Sequence, residues 1–170
     1  MRTLSSRSLH LQKVQTEDLS RMNELRKLVS HAPSPHSREE TPLTIDELSQ
    51  RQSSFWLIVD RKTNEDLGAI SLQPFGEDGA KQIGFVIKPD ARGKGVLSSV
   101  LPAFVKCLGL ELYSETDERD RAGIRVLEKC GFQSCVPAHA QHKSITGEKV
   151  RSAGFRFEPT EKARLKSPAA

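Results

Sequence analysis

At 170 residues the chain is long enough to bury one hydrophobic core without disulfides or metals, and short for two domains. Its formal charge of +4 and isoelectric point near 9.1 favour anionic partners, but the basic residues are spread out without aromatic interleaving, which suits a phosphate-bearing cofactor better than a nucleic acid. No apolar run approaches the roughly 20 residues that span a bilayer, so no membrane partner is expected; Cys107, Cys130 and Cys135 are odd in number and form no CxxC pair, which fits a reducing, cytoplasmic setting.

Residues 1–16, MRTLSSRSLHLQKVQT, contain Ser and Arg but no acid, the composition of a mitochondrial transit peptide. Leu9 and Leu11 nevertheless alternate with polar neighbours as a half-buried strand does, and a strand is the preferred reading. Leu19, Met22, Leu25, Leu28 and Val29 then recur at helical spacing behind Glu17 and Asp18, acids that favour a helix N-terminus. HAPSPHSREETP carries Pro33, Pro35 and Pro42 and reads as a long loop of the kind that shapes binding sites. Thr44 and Glu47 form a capping box that starts a short helix toward Arg51.

Phe55 to Val59 and Leu67 to Leu72, joined by the polar turn RKTNED, read as an antiparallel hairpin. A further strand runs from Gln82 to Ile87 and is stopped by Pro89. Val96, Leu97, Val100, Leu101, Phe104, Val105 and Leu108 trace one apolar helical stripe, with a kink expected at Pro102. Leu110, Leu112 and Ser114 alternate as a strand, and Asp120 to Cys130 is a helix ended by Gly131. Phe132 to Val136 and Val150 to Phe157 are final strands on either side of a polar connection. These elements place one domain over residues 1–158 and a flexible tail over 159–170.

The turn Arg92, Gly93, Lys94, Gly95 sits between a strand and a helix. Glycines there let successive main-chain amides converge, and the helix start adds a partial positive charge, so an anion belongs at this place. Arg92 and Lys94 add full charges that fit a pyrophosphate or a 3′-phosphate. The alternative is a plain strand-to-helix turn with solvated basic residues. Neither the Walker spacing nor the dinucleotide G-x-G-x-x-G occurs.

This turn resembles the acyl-CoA signature of the GNAT superfamily of N-acetyltransferases, Q/R-x-x-G-x-G/A, with Arg92 first, Gly95 fourth and Leu97 in the sixth place. DERDRAGIRVLEKCGF resembles the N-x-x-S-x-x-V-L-E-K-x-G-F helix of the Rim-type branch, with Asp120 in place of Asn and Gly123 in place of Ser. LSSRSLHLQKVQTEDL and TNEDLGAISL look like that family's opening strand and helix and its second hairpin strand. The resemblance implies an α/β (α+β) GNAT fold with about seven mostly antiparallel strands, a V-shaped split between the fourth and fifth, and about four helices.

It also implies that acetyl-CoA enters that split as cosubstrate, with no metal. The main chain of Val86, Ile87 and Lys88 would pair with the pantetheine arm, the amides of Arg92, Gly93, Lys94, Gly95, Val96 and Leu97 would hold the pyrophosphate, and Asp120 and Gly123 would border the cofactor. The implied reaction is direct attack of a primary amine on the thioester, needing a neutral amine and an oxyanion donor, for which an amide near Ile87 is the candidate.

Many relatives carry a Glu where this chain has Gln82, and a Tyr where it has Leu127. Glu115 is the next candidate base, with a solvated strand-end carboxylate as its alternative. Tyr113, the only tyrosine, is a candidate for the cleft or for sheet packing. These departures keep a second reading open, a catalytically impaired acyl-CoA-binding module. They also favour an acceptor of lowered pKa, because an α-amine titrates near ~8 and a lysine amine near ~10.4.

His139 and His142 lie in VPAHAQHKS, read as a loop with no nearby carboxylate, and are expected to be solvated; so are His31 and His36. Cys107 and Cys130 are expected as small core residues. The assembly is expected to be a monomer or homodimer.

Overall fold

A computed structural model of the protein describes residues 8–29, 53–76, 79–143 and 149–159. The Pro-rich loop with His31 and His36, the capping box of Thr44 and Glu47, the side chain of His142 and the tail after Pro159 lie outside the described residues.

Chain order is β1 (Leu9–Lys13), α1 (Leu19–Val29), β2 (Ser54–Asp60), β3 (Asp66–Pro74), β4 (Lys81–Ile87), α2 (Val96–Leu108), β5 (Leu112–Asp117), α3 (Arg121–Lys129), β6 (Gln133–Cys135), β7 (Gln141–Lys143) and β8 (Lys149–Phe157). The sheet order is β1-β2-β3-β4-β5-β8-β6, and β7 pairs with β8 beside this path. Every pairing is antiparallel except β4 with β5.

Strand β7 is an eighth strand inside what the sequence presents as a polar connection. Strand β5 begins at Leu112, later than the alternation from Leu110 suggests, because Gly109 closes α2 in the left-handed region at φ 60° and residues 110–111 form the link.

SFWLIVD of β2 is apolar on both faces because the sheet is covered on both. Trp56 and Ile58 face the core under α2 and α3, with Ile70, Ile83, Leu101, Phe104, Leu112 and Leu127. Leu57 and Val59 face the smaller core under α1, with Val14, Met22, Leu25 and Ala69. Trp56 meets Phe104 edge to face at 4.9 Å between ring centroids, a favoured aromatic geometry. Helix α2 is one element through Pro102; the proline withholds only the amide that would have bonded the Ser98 carbonyl.

A buried ion network ties α1 to the sheet. Asp18, 5% exposed, accepts from Arg21 Nη1 at 3.0 Å, Gln12 Nε2 at 3.0 Å and the Gln15 N–H at 3.1 Å. Arg21 also makes a bidentate pair with Asp66 on β3, at 3.0 and 2.5 Å.

The relationship that matters most for the site is between β4 and β5. They pair only through Lys81 with Leu112 and Gln82 with Tyr113, while β4 stays paired with β3 as far as Ile87. From Ile83 onward the sheet is therefore split, and one edge of β4 is open. Among the described residues no helix is long and apolar enough to cross a membrane.

Candidate acyl-group site

Beyond the open edge, a 3-10 turn over Pro89–Ala91 leads into the glycine-rich segment. Gly93 and Gly95 adopt φ 71° and 73°, and a Cβ at either would meet nothing within 4 Å. Their requirement is thus backbone sign, not space: other L residues pay about 1–2 kcal/mol in this region. Arg92, Gly93, Lys94 and Gly95 are exposed, whereas Val96 and Leu97 are each 7% exposed and anchor the helix start in the core.

The first helical bond of α2 runs from the Ser99 N–H to the Gly95 carbonyl at 3.0 Å, and Ser99 Oγ donates to the same oxygen at 2.9 Å. The N–H groups of Val96, Leu97 and Ser98 precede that ladder and point out of the helix end, where the macrodipole is positive. No side chain caps them. A diphosphate fits this set of donors.

Strand register decides which main-chain groups of β4 face the split. The Lys88 N–H donates to the Leu67 carbonyl of β3 at 2.9 Å, and the Lys81 N–H donates the other way, to Glu111, at 3.1 Å. Alternation then turns the N–H and C=O of Val86 and Lys88 toward β3, and those of Phe85 and Ile87 toward the open edge. Of Val86, Ile87 and Lys88, only Ile87 offers its polar groups there, and Phe85 joins it without any sequence signal. Arg92 Nε donates to the Ile87 carbonyl at 3.1 Å, linking this edge to the glycine turn. Lys88 Nζ lies 3.4 Å from Glu65.

On the opposite wall, Tyr113 stacks flat on Phe75, with ring centroids 4.2 Å apart and planes at 8°. Its hydroxyl donates to Glu115 Oε1 at 2.7 Å and accepts from the Ala138 N–H at 2.6 Å. Glu115 Oε1 also accepts from the His139 N–H at 2.8 Å, and His139 Nδ1 lies 3.1 Å from Oε2.

Two sequence expectations are corrected here. The Glu115 side chain is 0% exposed and is no solvated strand end, and His139 has a carboxylate beside it. Burial pushes the Glu115 carboxyl up, but the His139 N–H, the Tyr113 hydroxyl and the His139 ring together outweigh it, holding it below the usual carboxylate range. Burial first, then the bond to and charge of Glu115, push the Tyr113 phenol well above its ordinary value.

Asp120 is the N-cap of α3, with Oδ1 accepting from the Gly123 N–H at 3.0 Å and Oδ2 accepting from Thr116 Oγ1 at 3.3 Å. A Cβ on Gly123 would lie 2.3 Å from Asp120 Oδ2, so a side chain at position 123 would require the Asp120 carboxylate to turn. Leu127 is fully buried in the core. Cys130 is buried as expected, but Cys107 is exposed, off the apolar stripe of α2. Among the described residues no group of three or more His, Cys, Asp or Glu is placed to hold a metal ion.

The family model described as "Acetyltransferase (GNAT) domain" matches residues 8–133. The chain belongs to the GNAT acetyltransferase family. Solved structures with this fold include ribosomal-protein-S5-alanine acetyltransferase from Vibrio fischeri, at 14% identity and TM-score 0.78, covering 95% of this chain and 98% of that one. The fold is also shared with ribosomal L7/L12 alpha-N-protein acetyltransferase in complex with coenzyme A, at 16% identity, TM-score 0.72 and coverage of 93% and 98%. Spermidine N-acetyltransferase from Vibrio cholerae, in complex with CoA and spermine, gives 15% identity, TM-score 0.67 and coverage of 93% and 99%. No curated protein matches the chain by sequence.

Proposed function

We propose that the protein is an acetyl-CoA-dependent N-acetyltransferase that moves an acetyl group to a primary amine, on a small molecule or a protein N-terminus, by direct attack through a tetrahedral intermediate. The observation that carries this reading is the parting of β4 from β5 beyond Gln82, with the unladdered amides of α2 at its far end. Acetyl-CoA lies along the open edge as a cosubstrate. Phe85 and Ile87 offer main-chain groups to its pantetheine arm, and one of their N–H groups serves the oxyanion. The amides from Arg92 to Leu97, with the Arg92 and Lys94 charges, take the diphosphate.

The acceptor amine approaches the β5 wall, where Tyr113 and Glu115 stand. Glu115 accepts from both Tyr113 and His139 and is held ionised, so it orients its neighbours better than it takes protons. The Tyr113 hydrogen is committed to Glu115. With Gln82 and the buried Leu127 supplying no titratable group, an α-amine is the favoured acceptor, since it is neutral at lower pH than a lysine amine. An alkyl-amine preference in the rate profile would contradict that choice.

The second reading, a module that binds acyl-CoA without turnover, draws on the same absence of titratable groups at Gln82 and Leu127. Free-thiol release from acetyl-CoA, followed across α-amine peptides, polyamines and small alkyl amines, separates the two. Amine-dependent release supports the enzyme, and tight binding without release across the panel supports the module.

A further inference from the structure

Resting on the acetyltransferase reading, we infer that Ser71 positions the acceptor: its hydroxyl, leaning over Gly84 beside the split, accepts a hydrogen bond from the incoming amine. Strand parity decides which residues line the face an acceptor can reach. Ile70, Leu72 and Ile83 point into the core under α2 and α3, while Ala69 points into the core under α1, with Val86 packed against it. Alternation therefore puts Ser71 and Gly84 on the α1 face, where both are only half-buried. Tyr113 and Glu115 lie on the same face, because Leu112 points the other way.

Ser71 and Gly84 are direct partners across β3 and β4. Side chains paired in this way have Cβ atoms about 4.5–5.5 Å apart. A Cβ built on Gly84 would instead lie 2.8 Å from Ser71 Oγ, and among the described residues it would meet nothing else within 4 Å. The hydroxyl thus takes the space that a side chain at position 84 would need, and the bare backbone of Gly84 lets it reach over β4. Its place along the strand fits the same role. Strand β4 parts from β5 after Gln82, so Gly84 lies just inside the open stretch. With the diphosphate on the first amides of α2 and the pantetheine arm along Ile87 and Phe85, the thioester end lies toward Gly84 and the Ser71 hydroxyl.

A neutral primary amine must aim its lone pair at the thioester carbon, so its N–H groups need acceptors on the other side. A serine oxygen has two lone pairs and can accept wherever its own hydrogen points. It is also uncharged. A carboxylate in that place would favour the unreactive ammonium form of the acceptor, whereas a hydroxyl fixes direction without that shift. Ser71 takes no proton in this role.

The test compares wild type, Ser71→Ala, Gly84→Ala and the double variant on an amine that wild type acetylates, with acetyl-CoA affinity and the unfolding midpoint measured on each. Ser71→Ala should lower kcat/KM for the amine by about tenfold, the worth of one hydrogen bond, at unchanged acetyl-CoA affinity and unfolding midpoint. Gly84→Ala, which pushes the hydroxyl aside, should cost a similar factor in the wild-type background and little in the Ser71→Ala background. Equal losses from Gly84→Ala in both backgrounds, or Ser71→Ala retaining the wild-type kcat/KM, overturn the assignment and leave the acetyltransferase reading standing. No turnover by wild type on any amine overturns both.

Discussion

Gly154 stands opposite Glu115 across the β5–β8 pair, and the backbone of Pro137 fills the space its missing side chain leaves: a Cβ at position 154 would lie 2.8 Å from Pro137 Cα. That close approach brings the segment after β6 back over β5, where Ala138 and His139 reach Tyr113 and Glu115. The clash is with backbone, which cannot rotate away. Gly154→Ala should therefore cost about 1–3 kcal/mol, as overpacking does. The check is a urea melt, with a lower midpoint at unchanged slope expected. The same variant should lose acetyltransferase rate beyond its loss of stability.

At the glycine turn, Gly95→Asp adds a negative charge and a side chain in the left-handed region, in a place with room for both. Acyl-CoA binding should weaken by at least roughly tenfold, or ~1.4 kcal/mol. Gly95→Ala, without the charge, should weaken it less. Calorimetric titration of the two variants, with circular dichroism to check folding, separates the electrostatic from the conformational contribution.

The Asp18 network offers a prediction about stability alone. Asp18→Ala leaves the Gln12 amide, the Gln15 N–H and one face of Arg21 without their acceptor in a largely buried place. Loss of about 2–4 kcal/mol is expected from removing one member of such a cluster. Asp18→Asn should lose less, because one of its oxygens still accepts. Thermal or urea unfolding of both variants gives the comparison.

Burial pushes the Cys130 thiol up to about 11. A group raised in the folded state holds its proton where the unfolded chain has released it, so its contribution is intact below the unfolded value of ~8.5 and is lost as pH rises toward the folded value. Tyr113, also raised, acts in the same direction above its unfolded value of ~10. Stability should decline between about pH 9 and 11, and Cys130→Ala should flatten the lower part of that decline. At pH 8 iodoacetamide should label the exposed Cys107 rapidly and Cys130 only on unfolding.

What the sequence disclosed was local. The apolar stripe from Val96 to Leu108, the two-faced run of β2 and the glycines before α2 follow from period and backbone sign within a few residues. Strand β7 is too short, and too polar, to leave such a signal. The contact of His139 with Glu115 spans 24 residues and depends on Gly154, still farther along the chain, so nothing local announces it. The choice of Phe85 and Ile87 over Val86 and Lys88 depends on pairing parity with β3, which one strand's composition does not encode. Cys107 lies outside the core because it sits beside the apolar stripe of α2, and a small residue there has the same sequence signature on either side of the stripe's boundary.

The central claim is that acyl-CoA runs along the open edge of β4 with its diphosphate on the first amides of α2. Amide hydrogen exchange with and without acetyl-CoA tests it most directly. Slowed exchange at Phe85, Ile87 and Gly93 to Leu97 is the predicted result; unchanged exchange at these amides under saturating acetyl-CoA, with protection elsewhere, would contradict it.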